Sequence, residues 1–174
     1  MPVDPRKRTL GGRPRPTVAA GPPRVETRTE ARNGRLLFAA RLDVPAPRRR
    51  VWELLTDYDG LARYMPNIRE SRLLQRRGDR ARVLQVASTP LLPLRFELEL
   101  EFGEEAPARL AFVQREGNLR DFAGSWELAP LGDGTRIRYN AEGVHDFPVP
   151  DVLFNLVLGQ QVESMMQALG RELS

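Results

Sequence analysis

From Arg35 onward apolar and polar positions alternate, with Leu36, Phe38, Ala40, Leu42 and Val44 on one side of an extended chain. The alternation predicts a first strand over 35–44. Pro45 and Pro47 end it, and Pro47 suits the first position of a helix over 48–56, whose Val51, Trp52, Leu54 and Leu55 form an apolar stripe. Asp57 or Asp59 can cap a second short helix that runs to Tyr64 and is stopped by Pro66. Six further strand-like runs follow at 68–75, 80–88, 94–102, 109–115, 119–128 and 135–144, making seven strands. The clearest sets Leu94, Phe96, Leu98, Leu100 and Phe102 against Arg95, Glu97, Glu99 and Glu101, the signature of a sheet with one wet face. Turns such as Gly78-Asp79 and Gly132-Asp133-Gly134 are short enough for antiparallel hairpins. The chain closes with a long helix over about 150–172, where Phe154, Leu158, Val162, Met165, Leu169 and Leu173 step by three or four residues and share one face. That face needs a cover, and the concave side of a curved antiparallel sheet supplies one. The expectation is an α+β fold with a seven-stranded antiparallel sheet, two short helices and a long C-terminal helix over its concave face.

Composition narrows the chemistry. The 174 residues suit one domain, and the chain has no cysteine and one histidine, His145. Thiolate metal sites, disulfides, cysteine nucleophiles and multi-histidine metal sites are thereby excluded, and no cofactor is expected. No apolar run approaches the roughly 18 residues of a membrane span, and the N-terminus carries no continuous apolar segment of the secretory kind, so a cytoplasmic location is expected. The net charge of +4 is unevenly placed: residues 1–24 carry six basic residues and one acid, while 25–174 carry 21 and 22. The basic segment also holds six prolines and three glycines and reads as a disordered tail ahead of a folded domain over 25–174. An anionic lipid or RNA is the charged partner such a tail would meet, and nucleic acid is not expected to bind elsewhere on the chain.

Two stretches and the terminal helix carry a family likeness. VWELLTDYDGLARYMPNIRESRLL, from Val51 to Leu74, and QREGNLRDFAGSWELAPLGDGTRIRY, from Gln114 to Tyr139, resemble the START-like superfamily, which includes the major birch pollen allergen, polyketide cyclase/dehydrase proteins and coenzyme Q-binding proteins. The resemblance covers residues 35–172 and implies a helix-grip fold. It also implies a hydrophobic ligand, a lipid, isoprenoid quinone or polyketide-like molecule, held between the sheet and the last helix. One scaffold supports many functions in this superfamily.

Strand order alone sorts the loops. Successive connections of an antiparallel meander alternate between its two ends, so 76–79, 103–107 and 130–134 lie together and carry polar turn residues. The opposite end collects Tyr64-Met65-Pro66, Thr89-Pro90-Leu91-Leu92-Pro93 and Phe147-Pro148-Val149-Pro150, with polar Glu116-Gly117-Asn118 as the exception. Left bare, Met65, Leu91, Leu92 and Phe147 would each forgo roughly 1.5–3 kcal/mol. Three covers are open: mutual packing, a peripheral contact with a membrane surface, or the rim of an apolar cavity. By the resemblance, the cavity walls would be Phe96, Leu98, Phe112, Trp126, Tyr139, Leu153, Val157 and Met165, beside ordinary core packing for each.

Gln114 follows Leu110 and Phe112 in phase, and Arg120 precedes Phe122, Gly124 and Trp126, which would turn both inward. A buried Arg120 would need Glu116, Gln114 or a polar ligand group; a bulge near Gly117 would instead leave it in water. Gln85 is in phase with Val83 and Ala87, against the competing phase of Leu84 and Val86. His145 lies near the apolar end and reads as a loop residue capping backbone groups. Tyr58, Tyr64 and Tyr139 could each donate a proton or a hydrogen bond, as a cyclase or dehydratase would require. No phosphate loop, dinucleotide fingerprint or nucleophile elbow is present. The reading is a module that binds or carries a hydrophobic small molecule. A cyclase or dehydratase is the first alternative, and an RNA- or ribosome-associated regulator acting through the tail is the second.

Overall fold

Eight strands pair into one antiparallel sheet in a computed structural model that describes Pro14, Thr17, Val18 and residues 21–174. The strands are β1 (Val25–Arg32), β2 (Arg35–Val44), β3 (Ile68–Arg77), β4 (Arg80–Thr89), β5 (Leu92–Glu105), β6 (Arg109–Gly117), β7 (Asp121–Leu131) and β8 (Gly134–Val144). Helix α1 (Arg48–Thr56) and a short 3-10 helix (Tyr58–Arg63) stand between β2 and β3, and α2 (Asp151–Glu172) ends the chain. The sheet order β1-β2-β8-β7-β6-β5-β4-β3 leaves β1 and β3 at the edges. The expected α+β helix-grip architecture is present. The basic N-terminal tail falls mostly outside the described residues; within it, Val18 lies against Gly134 and Pro23 against Gly170.

The sheet has one strand more than the periodicity predicted. β1 reads VETRTEAR, and its charged positions Glu26, Arg28, Glu30 and Arg32 pair with β2 on the outer face, so no apolar alternation announces it. An edge strand is protected by such charges, which discourage further pairing. The signal that was available is the turn: Asn33 and Gly34 both have positive φ, 53° and 75°, the two-residue hairpin geometry that Asn-Gly favours.

Alternation on the other strands sorts two faces. Leu36, Phe38, Leu42 and Val44 of β2, Leu98, Leu100 and Phe102 of β5, and Ile137, Tyr139 and Ala141 of β8 are buried on the concave side. The outer face carries the charges, among them the paired residues Asp43 and Arg136, whose two hydrogen bonds of 2.8 Å clamp β2 to β8. The Arg136 guanidinium holds the Asp43 carboxyl below its usual range.

The 22 residues of α2 span about 33 Å and lie over β1 and β2. Phe154, Leu169 and Leu173 of the anticipated stripe are buried, and so are Val157, Met166 and Ala168 beside it. Leu158, Val162 and Met165 are only half-buried, because below the middle of the helix the sheet has fallen away.

At the polar end the Tyr58 hydroxyl donates to Glu104 Oε1 at 2.7 Å, and Arg76 Nη1 donates to Glu104 Oε2 at 2.9 Å. Tyr58 also packs on Phe102, with ring centroids 5.0 Å apart. These contacts tie the 3-10 helix, β3 and β5 together and close that end.

Because a depressed carboxyl pKa contributes stability above the unfolded value of about 3.9 and loses it as pH falls through the folded value, the Asp43–Arg136 pair stabilises the sheet at neutral pH. Asp43→Asn should therefore lower Tm at pH 7, with the gap to the unmodified protein closing below the free carboxyl range. Thermal melts across pH 2–7 read this directly.

Candidate functional site

Between the concave face and the middle of α2 lies a cavity of about 200 Å³, against the roughly 10–15 Å³ that one water requires. Its floor is aromatic: Phe96 and Phe102 of β5, Phe112 of β6, Trp126 of β7 and Tyr139 of β8 all line it. These side chains alternate inward from adjacent antiparallel strands, and Trp126 faces Tyr139 across a β7–β8 pair with ring centroids 4.6 Å apart. Leu55 of α1, with Leu61 and Met65 at the far end of the 3-10 helix, forms one side wall, while Leu158, Val162 and Met165 of α2 form the roof. No charged residue lines the space among the described residues.

Polar groups gather toward the end where β4 turns into β5. Asn67, Gln85, Ser88, Thr89 and Gln161 line the cavity there. Gln161 Nε2 donates to Thr89 Oγ1 at 2.9 Å, a hydrogen bond that stitches α2 to the β4–β5 hairpin. The other end of the same amide, Oε1, is buried without a partner. Thr89 Oγ1 also accepts from Leu91 N at 3.2 Å, which fixes its position.

The structure brings Met65, Phe96, Leu98, Phe112, Trp126, Tyr139 and Met165 together around the cavity. It places the other expected residues elsewhere, each for a definable reason. Leu153 is 41% exposed, and Val157 is buried but outside the lining. A strict spacing of four drifts about 40° per step on an α-helix, so three steps from Met165 carry Leu153 about 120° away into water. Leu91 is 55% exposed at the tip of the β4–β5 turn, so neither mutual packing nor the cavity covers it, and Leu92 is half-buried in the strand beside it. Phe147 packs edge-on against Phe96, centroids 5.6 Å apart, and beside Phe154, so mutual packing accounts for it. Tyr64 is half-buried against α1, its hydroxyl donating to Leu54 O at 3.4 Å, and burial pushes its pKa up.

Gln114 and Arg120 do not meet. The β5–β6 register slips at Arg115, where Glu99 pairs with Glu116 but Leu100 with Gln114. Gly117, with φ of 147° and Glu97 O only 2.6 Å from where a Cβ would stand, carries the chain through that irregularity. Gln114 Nε2 then donates to Leu119 O at 2.8 Å, and Arg120 is left exposed, so its inward phase is corrected to the bulge alternative. His145 Nε2 donates to Asp151 Oδ1, 2.9 Å away, and the ring stacks on Phe154 at 3.7 Å between centroids, outside the lining.

The residues that sequence reasoning missed are Gln161, Thr89, Asn67 and Ser88. Gln161 sits between Leu158 and Val162, a polar break in an apolar stripe that could have been noticed. Gln85 and Ala87 do line the cavity, so the phase shared with Val83 holds there. Among the described residues no cluster of His, Asp or Glu is arranged to hold a metal, and no helix is long and apolar enough to cross a membrane.

A curved antiparallel sheet gripping one long helix over an apolar cavity defines the START-like class. Within it, residues 44–169 match the family described as polyketide cyclase / dehydrase and lipid transport, and the chain belongs to that family. Among solved structures it is similar to TTHA0849 of Thermus thermophilus, at 25% identity and a TM-score of 0.72, covering 78% of this chain and 94% of that one. A STAR-related lipid transfer protein fragment from Xanthomonas axonopodis is 17% identical with a TM-score of 0.75, covering 86% and 93%. The Zhui aromatase/cyclase of a Streptomyces species is 16% identical with a TM-score of 0.67, again covering 86% and 93%. No curated protein matches the chain. The fold is thus one of hydrophobic-ligand binding and transport or of polyketide cyclase type.

Gln161→Leu should cut the stitch to Thr89 while preserving bulk. Release of a bound neutral naphthylamine fluorophore, followed by stopped flow, is expected to quicken about two- to tenfold, the range of one hydrogen bond. An unchanged rate would place the exit route elsewhere.

Proposed function

We propose that the protein binds and carries a hydrophobic small molecule in the cavity beneath α2. The observation that carries this reading is the uncharged, largely aromatic lining of a space large enough for an organic molecule. Lipids, isoprenoid quinones and polyketide-like molecules all fall within the chemistry such a lining accepts. Turnover is the weaker reading. Acid–base catalysis needs a group poised near the working pH, and Tyr139 is the titratable residue among the lining positions. Burial pushes its pKa above the ordinary value of 10, which keeps the phenol protonated and makes it a weaker acid, with no phenolate at hand to act as base.

The proposal extends to a peripheral contact with a membrane, from which a lipophilic ligand would be exchanged. In support, Leu91 stands exposed beside Thr89, and Val152, Leu153 and Leu156 are exposed on the first turns of α2, which leave the same end of the sheet. Leu91→Ser combined with Leu156→Ser should reduce flotation with liposomes; equal flotation would remove this contact from the proposal.

Filling the space tests the principal reading. Ala87 lines the cavity from β4, and Ala87→Phe would push a ring into it. The unmodified protein should brighten a neutral naphthylamine fluorophore, and the variant should bind it at least about tenfold more weakly while retaining its circular dichroism spectrum. Failure of the unmodified protein to bind any such probe contradicts carriage.

A further inference from the structure

Among the aromatic floor positions, one polar group has no partner in the fold. Tyr139 is 7% exposed and lies on the central strand β8, flanked by Trp126 at 4.6 Å and Phe112 at 6.1 Å between ring centroids. Its hydroxyl makes no hydrogen bond among the described residues, whereas Tyr58 bonds to Glu104 and Tyr64 to Leu54. The Tyr139 side chain lines the cavity, which sets its unpartnered hydroxyl among the groups that a bound molecule would meet. A phenol is a strong donor and a weak acceptor, since its lone pairs are shared with the ring, so the half left unused here is chiefly the O–H.

We infer that the ligand is a neutral lipophile bearing a carbonyl oxygen, and that the Tyr139 hydroxyl donates a hydrogen bond to that oxygen on the aromatic floor of the cavity. This rests on the reading of the cavity as a ligand site and gives that ligand a chemistry. Neutrality follows from the lining: a carboxylate or ammonium group at this depth would meet no opposite charge. The remaining floor positions offer flat aromatic faces, which suit an unsaturated or ring-bearing body next to the carbonyl. The amides of Asn67, Gln85 and Gln161 come from the segment before β3, from β4 and from α2, which leaves Tyr139 as the polar side chain among the aromatic floor positions.

Two competitors of nearly equal size read this out: a naphthyl methyl ketone and the matching ethyl naphthalene, each titrated against the bound naphthylamine fluorophore. The unmodified protein should prefer the ketone by about five- to tenfold, one hydrogen bond's worth. Tyr139→Phe keeps the ring and should erase the preference by weakening ketone binding alone. Tyr64→Phe, which removes a hydroxyl outside the lining, should leave the preference intact. Equal binding of both competitors to the unmodified protein, or a preference that survives Tyr139→Phe, overturns the inference while leaving carriage standing. If neither competitor nor fluorophore binds, carriage falls and the inference falls with it.

Discussion

One asymmetry governs this molecule: α2 packs along one flank on β1 and β2, and on the other it reaches the sheet through the Gln161–Thr89 hydrogen bond and the Phe154–Phe96 ring contact. Val157, Met166, Ala168 and Leu169 are buried where the helix crosses β1 and β2, while Leu158, Val162 and Met165 hang half-buried over β4 to β7. A rigid rod about 33 Å long cannot follow a sheet that twists and curves away beneath it. The roof side chains Leu158, Val162 and Met165 do not bridge the divergence to the floor. The void is therefore a consequence of the clamp geometry, and the aromatic floor is what keeps the sheet's concave face from remaining bare backbone and small residues. Interior space of this size normally costs stability, by roughly 24 cal/mol per Å³ in engineered cases, so its retention favours a use.

The two ends of the grip are held by different chemistry. At the polar end Tyr58, Glu104 and Arg76 form a charge-assisted cluster, and Glu101 draws in Arg80 and Arg115. At the apolar end the helix meets the β4–β5 hairpin through one neutral hydrogen bond, Gln161 to Thr89, and through ring packing of Phe96, Phe147 and Phe154. Hydrogen bonds to charged groups are roughly twice as strong as neutral ones. Opening should accordingly begin at the weaker end, with the 3-10 helix and β3 staying in place.

Much of the architecture was legible because the strands have a wet face. Where Leu94 to Phe102 alternate with Arg95 to Glu101, period alone predicted strand and face, and the helix over 48–56 forms with Pro47 just ahead of it as the N-cap. β1 was illegible for the opposite reason: charges cover its outer face and threonines its inner one, so burial contrast is missing. The cavity walls divided along the same line. Positions on strands, such as Phe96, Phe112, Trp126 and Tyr139, keep their face wherever register is regular. Positions on α2 do not, because a one-residue error is about 100° of rotation and Leu153 ends in water. Arg120 shows a third case: alternation would turn it inward, and the bulge that Gly117 suggested, realised as a register slip at Arg115, leaves it in water.

The division of polar groups within the cavity also bears on what kind of protein this is. A catalyst for carbon–carbon ring closure must move protons, and so must place groups of matched pKa next to the substrate. Here the titratable side chains with organised partners lie outside: Glu104 at the sealed end, and His145 held between Asp151 and Phe154. Inside, the polar atoms are amides, hydroxyls and one phenol whose burial keeps it protonated. Such groups can orient a neutral molecule without charging it. The distribution favours carriage over turnover on the same scaffold that serves both, and it does so through the identity of the lining side chains.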